Sequence, residues 1–213
     1  MLHEWPTRGS SVPSHPDRLM LLSRLKSETR ALHDRVEGDL DLVLQRITPE
    51  GYRLLLERFH GFYAPWERAV ARTLGSPLPQ FFAERRKAAL LAEDLRFFGS
   101  REAASRPVPE CVQLPDLGDY ARVLGSMYVV EGATLGGQVI SRRLERQLGL
   151  AEGRGYSFFR SYGADVGRKW QAFREVLLSH SSAENDEVMV RSACDTFLAL
   201  HHWLCSPDPG RAW

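Results

Sequence analysis

Residues Tyr128–Arg143 read YVVEGATLGGQVISRR, a helical-looking stretch that carries Gly132, Gly136 and Gly137 within six residues. An interior helical glycine costs about 0.5–1 kcal/mol relative to alanine, so these three give up roughly 2–3 kcal/mol that something should compensate. At about 100° per residue, Gly132 and Gly136 share one helix face. A face without side chains lets either a flat ligand or another helix touch the backbone, and the Gly136-Gly137 pair permits bending. Both readings stand at this point.

Outward from that stretch, the helix extends from Asp119 to about Leu148 through apolar Tyr120, Val123, Leu124, Met127, Tyr128 and Val130, and Gly149 closes it. An interruption at Gly153 to Gly163 carries Tyr156, Phe158 and Phe159, and helices of about Ala164 to His180 and Ala183 to Leu204 follow. Upstream, Leu22, Leu25, Leu32 and Val36 form the stripe of a helix from Asp17, with Gly38 as its expected stop. Thr48-Pro49-Glu50 is a helix start, and Tyr52, Leu55, Leu56, Phe59, Phe62 and Trp66 are its buried stripe. Pro65 is expected to kink or end that helix. A third helix is expected from Gln80 to Phe98, then a proline-rich loop from Arg106 to Pro115. Seven or so helices without alternating strand candidates predict an all-α, single-domain helical bundle over residues 17–213, after a flexible leader at 1–16.

The chain has 213 residues, 28 Lys+Arg against 27 Asp+Glu, and a formal net charge of +1, which argues against a general nucleic-acid binder. Cys111, Cys194 and Cys205 are odd in number and widely spaced, giving neither a disulfide framework nor a zinc pattern. They read as small core residues, and a reducing cytoplasm fits them. No run approaches the ~18 apolar residues that a membrane span needs, so a soluble protein is expected.

A second constellation lies in LKSETRALHDRVEG, residues 25–38. Separations of seven and four residues put Lys26, His33 and Glu37 near one helix face. Glu37 would accept from the imidazole Nδ1 of His33 and leave Nε2 for a metal, while Lys26 would meet an anion. The bland alternative is a half-exposed His/Glu surface pair and a solvated lysine. Taken together, an axial imidazole on one helix and a flat, side-chain-poor surface on another are the two walls of a heme pocket.

At these residues the chain resembles the heme oxygenase family. ETRALHDRVE resembles its proximal-helix motif, and YVVEGATLGGQVI resembles its glycine-rich distal helix, in the bacterial version found beside bacteriophytochromes. The resemblance spans about Leu21 to Leu204. It implies that heme, as substrate and cofactor, is sandwiched between the two helices and opened with O2 to biliverdin, ferrous iron and carbon monoxide. It implies His33 as the proximal iron ligand, Glu37 as its orienting partner, and Lys26 and Tyr128 at the propionates. Gly132 and Gly136 would flank the distal oxygen site with Gly137 beside them, and Lys169 and Arg174 would supply a second basic contact.

Electrons would come from an external reductase or ferredoxin-type donor, since no flavin or nicotinamide fingerprint is present. Arg142, Arg143 and Arg146 read either as its docking patch or as a solvated helix end. A bacteriophytochrome would be a receiver of the biliverdin. One departure matters: where many members carry an aspartate after the first distal glycine, this chain has Ala133 and then Thr134. The proton route is therefore unassigned, with Thr134 and Gln138 either helping or structural. Ala133 is also the support for the alternative of a non-catalytic heme-binding or sensor domain. His60, His201 and His202 read as packing residues.

Overall fold

The computed structural model describes residues 15–75, 79–99, 107–151 and 153–205. Among them run eight α-helices: α1 (His15–Gln45), α2 (Pro49–Leu74), α3 (Gln80–Ala83), α4 (Ala88–Phe98), α5 (Tyr120–Leu148), α6 (Ser157–Arg160), α7 (Val166–Ser179) and α8 (Ala183–Cys205). A 3-10 turn at Gly163–Asp165 precedes α7, and no strand occurs among the described residues. Apart from His15 and Pro16, which already belong to α1, the expected leader lies outside the described residues.

Local capping follows the sequence closely. Thr48 Oγ1 accepts from Gly51 N at 3.0 Å, Asp119 caps α5 through Arg122 N at 2.8 Å, and Gly149 ends α5 with φ 66°. Two expectations fail and, of the kink or end expected at Pro65, the end is not taken; in each case a distant group intervenes. Gly38 does not stop α1, which runs on to Gln45 and buries Leu44 in the core. Pro65 does not end α2; the carbonyl it leaves without a helical partner, Gly61 O, accepts from Cys111 N at 2.8 Å. The loop comes this close because Gly61 has no side chain: a β-carbon there would stand 2.2 Å from Pro109 O.

The other correction concerns the helix expected over Gln80 to Phe98, which breaks between Ala83 and Ala88. The carboxylate of Glu67, buried on α2, caps α4 by accepting from Lys87 N and, at 2.8 Å, from Ala88 N. The break turns Arg85 and Lys87 inward, and both are buried.

In the core, α5 packs along α8, and α1 packs along the same helix, so α8 carries both without their running along one another. Gly125 makes the α5/α8 approach possible, since a β-carbon there would stand 2.2 Å from Met189 O. Toward their C-terminal ends α1 and α5 are tied by an Arg143–Asp41 ion pair and by Gln147 Nε2 donating to Gln45 O at 3.2 Å. Before that junction they enclose a space.

Candidate functional site

That space is a cavity of about 770 Å3, within the range that holds cofactor-sized ligands. One wall is α1, with Lys26, Thr29, His33 and Glu37; the facing wall is α5, with Tyr128, Gly132, Gly136 and Gly137. Aromatic side chains close it, Phe158 and Phe159 from α6, Trp170 from α7 and Phe197 from α8. The α6 pair is held in place by buried Asp94 of α4, which accepts from Ser157 N at 2.7 Å and Phe158 N at 2.8 Å. Burial pushes that carboxyl upward despite the two bonds.

His33 is half-exposed in its side chain, 45%, and its ring meets Phe197 edge-on at 5.8 Å. Its Nδ1 lies 3.5 Å from a Glu37 carboxylate oxygen and 3.6 Å from one of Asp34. The sequence pairs it with Glu37 alone; Asp34, itself bound by Arg30 at 2.8 Å, is a second carboxylate at the same nitrogen. Two acidic neighbours at Nδ1 favour its N–H tautomer and leave Nε2 as the basic nitrogen, the arrangement an iron ligand needs.

The glycine wall is bare over two of its three positions. A β-carbon at Gly136 would meet nothing within 4 Å, and one at Gly132 would meet only the Trp170 ring at 3.8 Å. No neighbouring backbone approaches either glycine, so a close backbone-to-backbone helix contact does not account for these two. Gly137 differs: it is buried, and a β-carbon would lie 2.2 Å from Phe159 O, so this glycine serves the packing of α5 on α6.

Cations stand at the cavity. Lys26 is exposed on α1, and Arg174 on α7 follows Trp170 by one turn. Tyr128 packs on Trp170 at 5.6 Å; burial raises its hydroxyl, opposed by the charge of Arg174, so it stays a neutral donor. Lys169 is not among the lining residues. It lies five residues before Arg174, on another face of α7, and its Nζ pairs with Glu84 at 3.0 Å. Thr134 and Gln138 are also engaged, the first donating to Glu131 O at 2.6 Å and the second to Gly163 O at 2.7 Å.

Several lining residues escaped sequence reasoning. Phe197 and Trp170 look like core aromatics in a helical period, and Lys87 looks like a surface charge in an RRK run. His201, read as packing, instead bonds Asp39 at 2.7 Å, and Cys205 is exposed where a core residue was expected.

An α-helical bundle with a cofactor-sized cavity between an imidazole-bearing helix and a glycine-faced one is the class of protein this geometry defines. The heme oxygenase family profile matches residues 19–205. A heme oxygenase of Xanthomonas campestris pv. campestris (strain 8004) is 33% identical over 143 residues, covering 67% of this chain and 82% of that protein. Among solved structures, heme oxygenase from Leptospira interrogans superposes with a TM-score of 0.67 at 20% identity, over 86% of this chain and 98% of its own. Heme oxygenase-1 from the cyanobacterium Synechocystis sp. PCC6803, in complex with heme, gives 0.69 at 18% identity, over 86% and 90%. The chain belongs to the heme oxygenase family.

Proposed function

We propose that this chain is a heme oxygenase, binding heme in the α1/α5 cavity and opening it with O2 and electrons to biliverdin, ferrous iron and carbon monoxide. The observation that carries the reading is the facing of His33 and the bare Gly132–Gly136 surface across one cavity of cofactor size. Bound heme would supply the oxygen chemistry through its iron. The chain's own residues would do the rest. His33 Nε2 would ligate the iron, with Glu37 and Asp34 holding the ring through Nδ1. Lys26, Arg174 and the Tyr128 hydroxyl would fix the propionates and so the rotation of the ring, which sets the meso carbon exposed to attack. The glycine wall would leave room for a diatomic ligand, and Phe158, Phe159 and Trp170 would exclude bulk water.

The donor of electrons would be a separate reductase or ferredoxin-type protein, and a bacteriophytochrome would be a receiver of the biliverdin. Of the three arginines considered for docking, Arg143 is paired with Asp41, which leaves Arg142 and Arg146 exposed at the end of α5. No helix among the described residues is long and apolar enough to cross a membrane, and a cytoplasmic setting suits an enzyme fed by soluble donors. The test is aerobic turnover of the heme complex with a reductant, followed by chromatography. A biliverdin isomer as product is expected; an inert oxygen complex would refute catalysis.

A further inference from the structure

The cavity's inner wall holds a charged side chain that none of the roles above uses. Lys87, from the break between α3 and α4, lines the cavity beside Tyr63 and Phe158, yet it is only 2% exposed. Its Nζ donates to Arg85 O at 2.9 Å and to the Tyr162 hydroxyl at 2.5 Å, and lies over the Tyr162 ring at 3.9 Å. The Tyr162 hydroxyl in turn reaches the carboxylate of Glu131, at 2.8 and 3.1 Å. Glu131 is 1% exposed, sits directly before Gly132, and is paired with Arg85 Nε at 3.2 Å and Lys87 Nζ at 3.6 Å.

Burying several charges is expensive, and a purely structural cluster is commonly replaceable by apolar residues at no loss. This cluster also spans two spaces. On the far side of Glu131 lies a small second cavity of about 20 Å3, lined by Glu67, Arg85, Arg86 and Glu131 and large enough for about one water. Arg86 is largely exposed there. A line of hydrogen-bonding groups thus runs from the solvent side through Glu131 and Tyr162 to Lys87, which lines the main cavity.

We infer that Lys87, recharged through Tyr162 and Glu131, is the proton-holding residue that feeds the glycine side of the cavity, where this chain has Ala133 in place of a carboxylate. The proton leaves the Lys87 ammonium for an acceptor in the cavity. The neutral amine is recharged when the Glu131 carboxylate takes a proton from solvent through water in the small cavity and passes it to the Tyr162 hydroxyl, which at the same time gives its own proton to the amine. One proton enters and one leaves. The groups facing Lys87 are Glu131, Glu67, Arg85, Tyr63 and Tyr162; burial outweighs the two acids and brings its pKa down to about 8, so the ammonium is an able donor near neutrality.

The inference rests on the heme oxygenase reading, so the test has one arm that needs no turnover. In the heme-free protein labelled at lysine side chains, NMR should show one lysine titrating near pH 8, missing from the K87M variant; no lysine titrating between pH 7 and 9 overturns the inference. In the heme complex, K87M and K87R should each retain the Soret band and slow heme loss at pH 7 at least tenfold. Wild-type turnover should fall as pH rises through about 8, a fall absent from both variants. Y162F, which keeps both charges in place, should slow turnover as well and stands in should K87M fold poorly. A K87M or Y162F protein with wild-type rate and pH profile overturns the inference. A wild-type protein that binds heme and never opens it refutes the functional reading instead, and the NMR titration then decides whether Lys87 exchanges its proton.

Discussion

The backbone of α5 at Gly137 rests against the carbonyl of Phe159, so close that a β-carbon would stand 2.2 Å from the oxygen, while at Gly136, one residue earlier, it would meet nothing. Adjacent glycines therefore do different work. Gly137→Ala should lower the unfolding free energy by about 2 kcal/mol, since a backbone carbonyl cannot yield as a side-chain tip does. Gly136→Ala should hold stability or raise it by up to about 1 kcal/mol through helix propensity, while altering ligand binding in the heme complex. Urea unfolding and optical spectra of the two variants separate these outcomes.

His33→Ala should abolish the proximal ligation signature of added hemin, and exogenous imidazole should restore it. Glu37→Gln removes one of the two carboxylates near Nδ1 and should weaken iron ligation by roughly tenfold, the lower end for a supporting partner. Hemin titration followed by absorption and resonance Raman spectra measures both. A His33→Ala complex with an unchanged spectrum would remove this residue from the site.

Lys26 and Arg174 line the cavity and Lys169 does not. The double change Lys26→Ala with Arg174→Ala should therefore broaden the distribution of biliverdin isomers, read by chromatography. Lys169→Ala, which loses a surface pair with Glu84, should leave the isomer pattern intact and change stability by less than about 1 kcal/mol.

Lys87 also predicts a pH dependence of stability. Its pKa is brought down to about 8 in the fold from 10.5. Between these values the unfolded chain binds the additional proton, so this group's contribution to stability rises as pH increases from 8 to 10.5 and is flat below 8. The full difference corresponds to about 3 kcal/mol. Urea unfolding at pH 7 and pH 10 should show that rise in the wild type relative to Lys87→Met; parallel curves would contradict a lowered Lys87 pKa.

The helices were readable because their signals are local. The stripe from Tyr52 to Trp66, the Thr48 and Asp119 caps and the Gly149 terminus each involve residues within a few positions of one another. The His33/Glu37 spacing and the paired glycines were legible for the same reason, and with the family resemblance they pointed to the candidate site. Local signals were also answered from afar: the stop at Gly38 yields to burial of Leu44, and at Pro65 the helix runs on, with Cys111 N bonding the carbonyl of Gly61 that the proline leaves free.

By itself the sequence determined an all-helical chain with an imidazole on one helix and a bare face on another, since helical periodicity and capping depend on near neighbours. Only the tertiary structure decided that Arg174 and not Lys169 reaches the cavity, that Gly137 packs while Gly136 lies open, and that Lys87 is buried against Tyr162 and Glu131. Those outcomes depend on contacts between residues tens of positions apart. Which face of a helix meets which neighbour is set when the whole core packs.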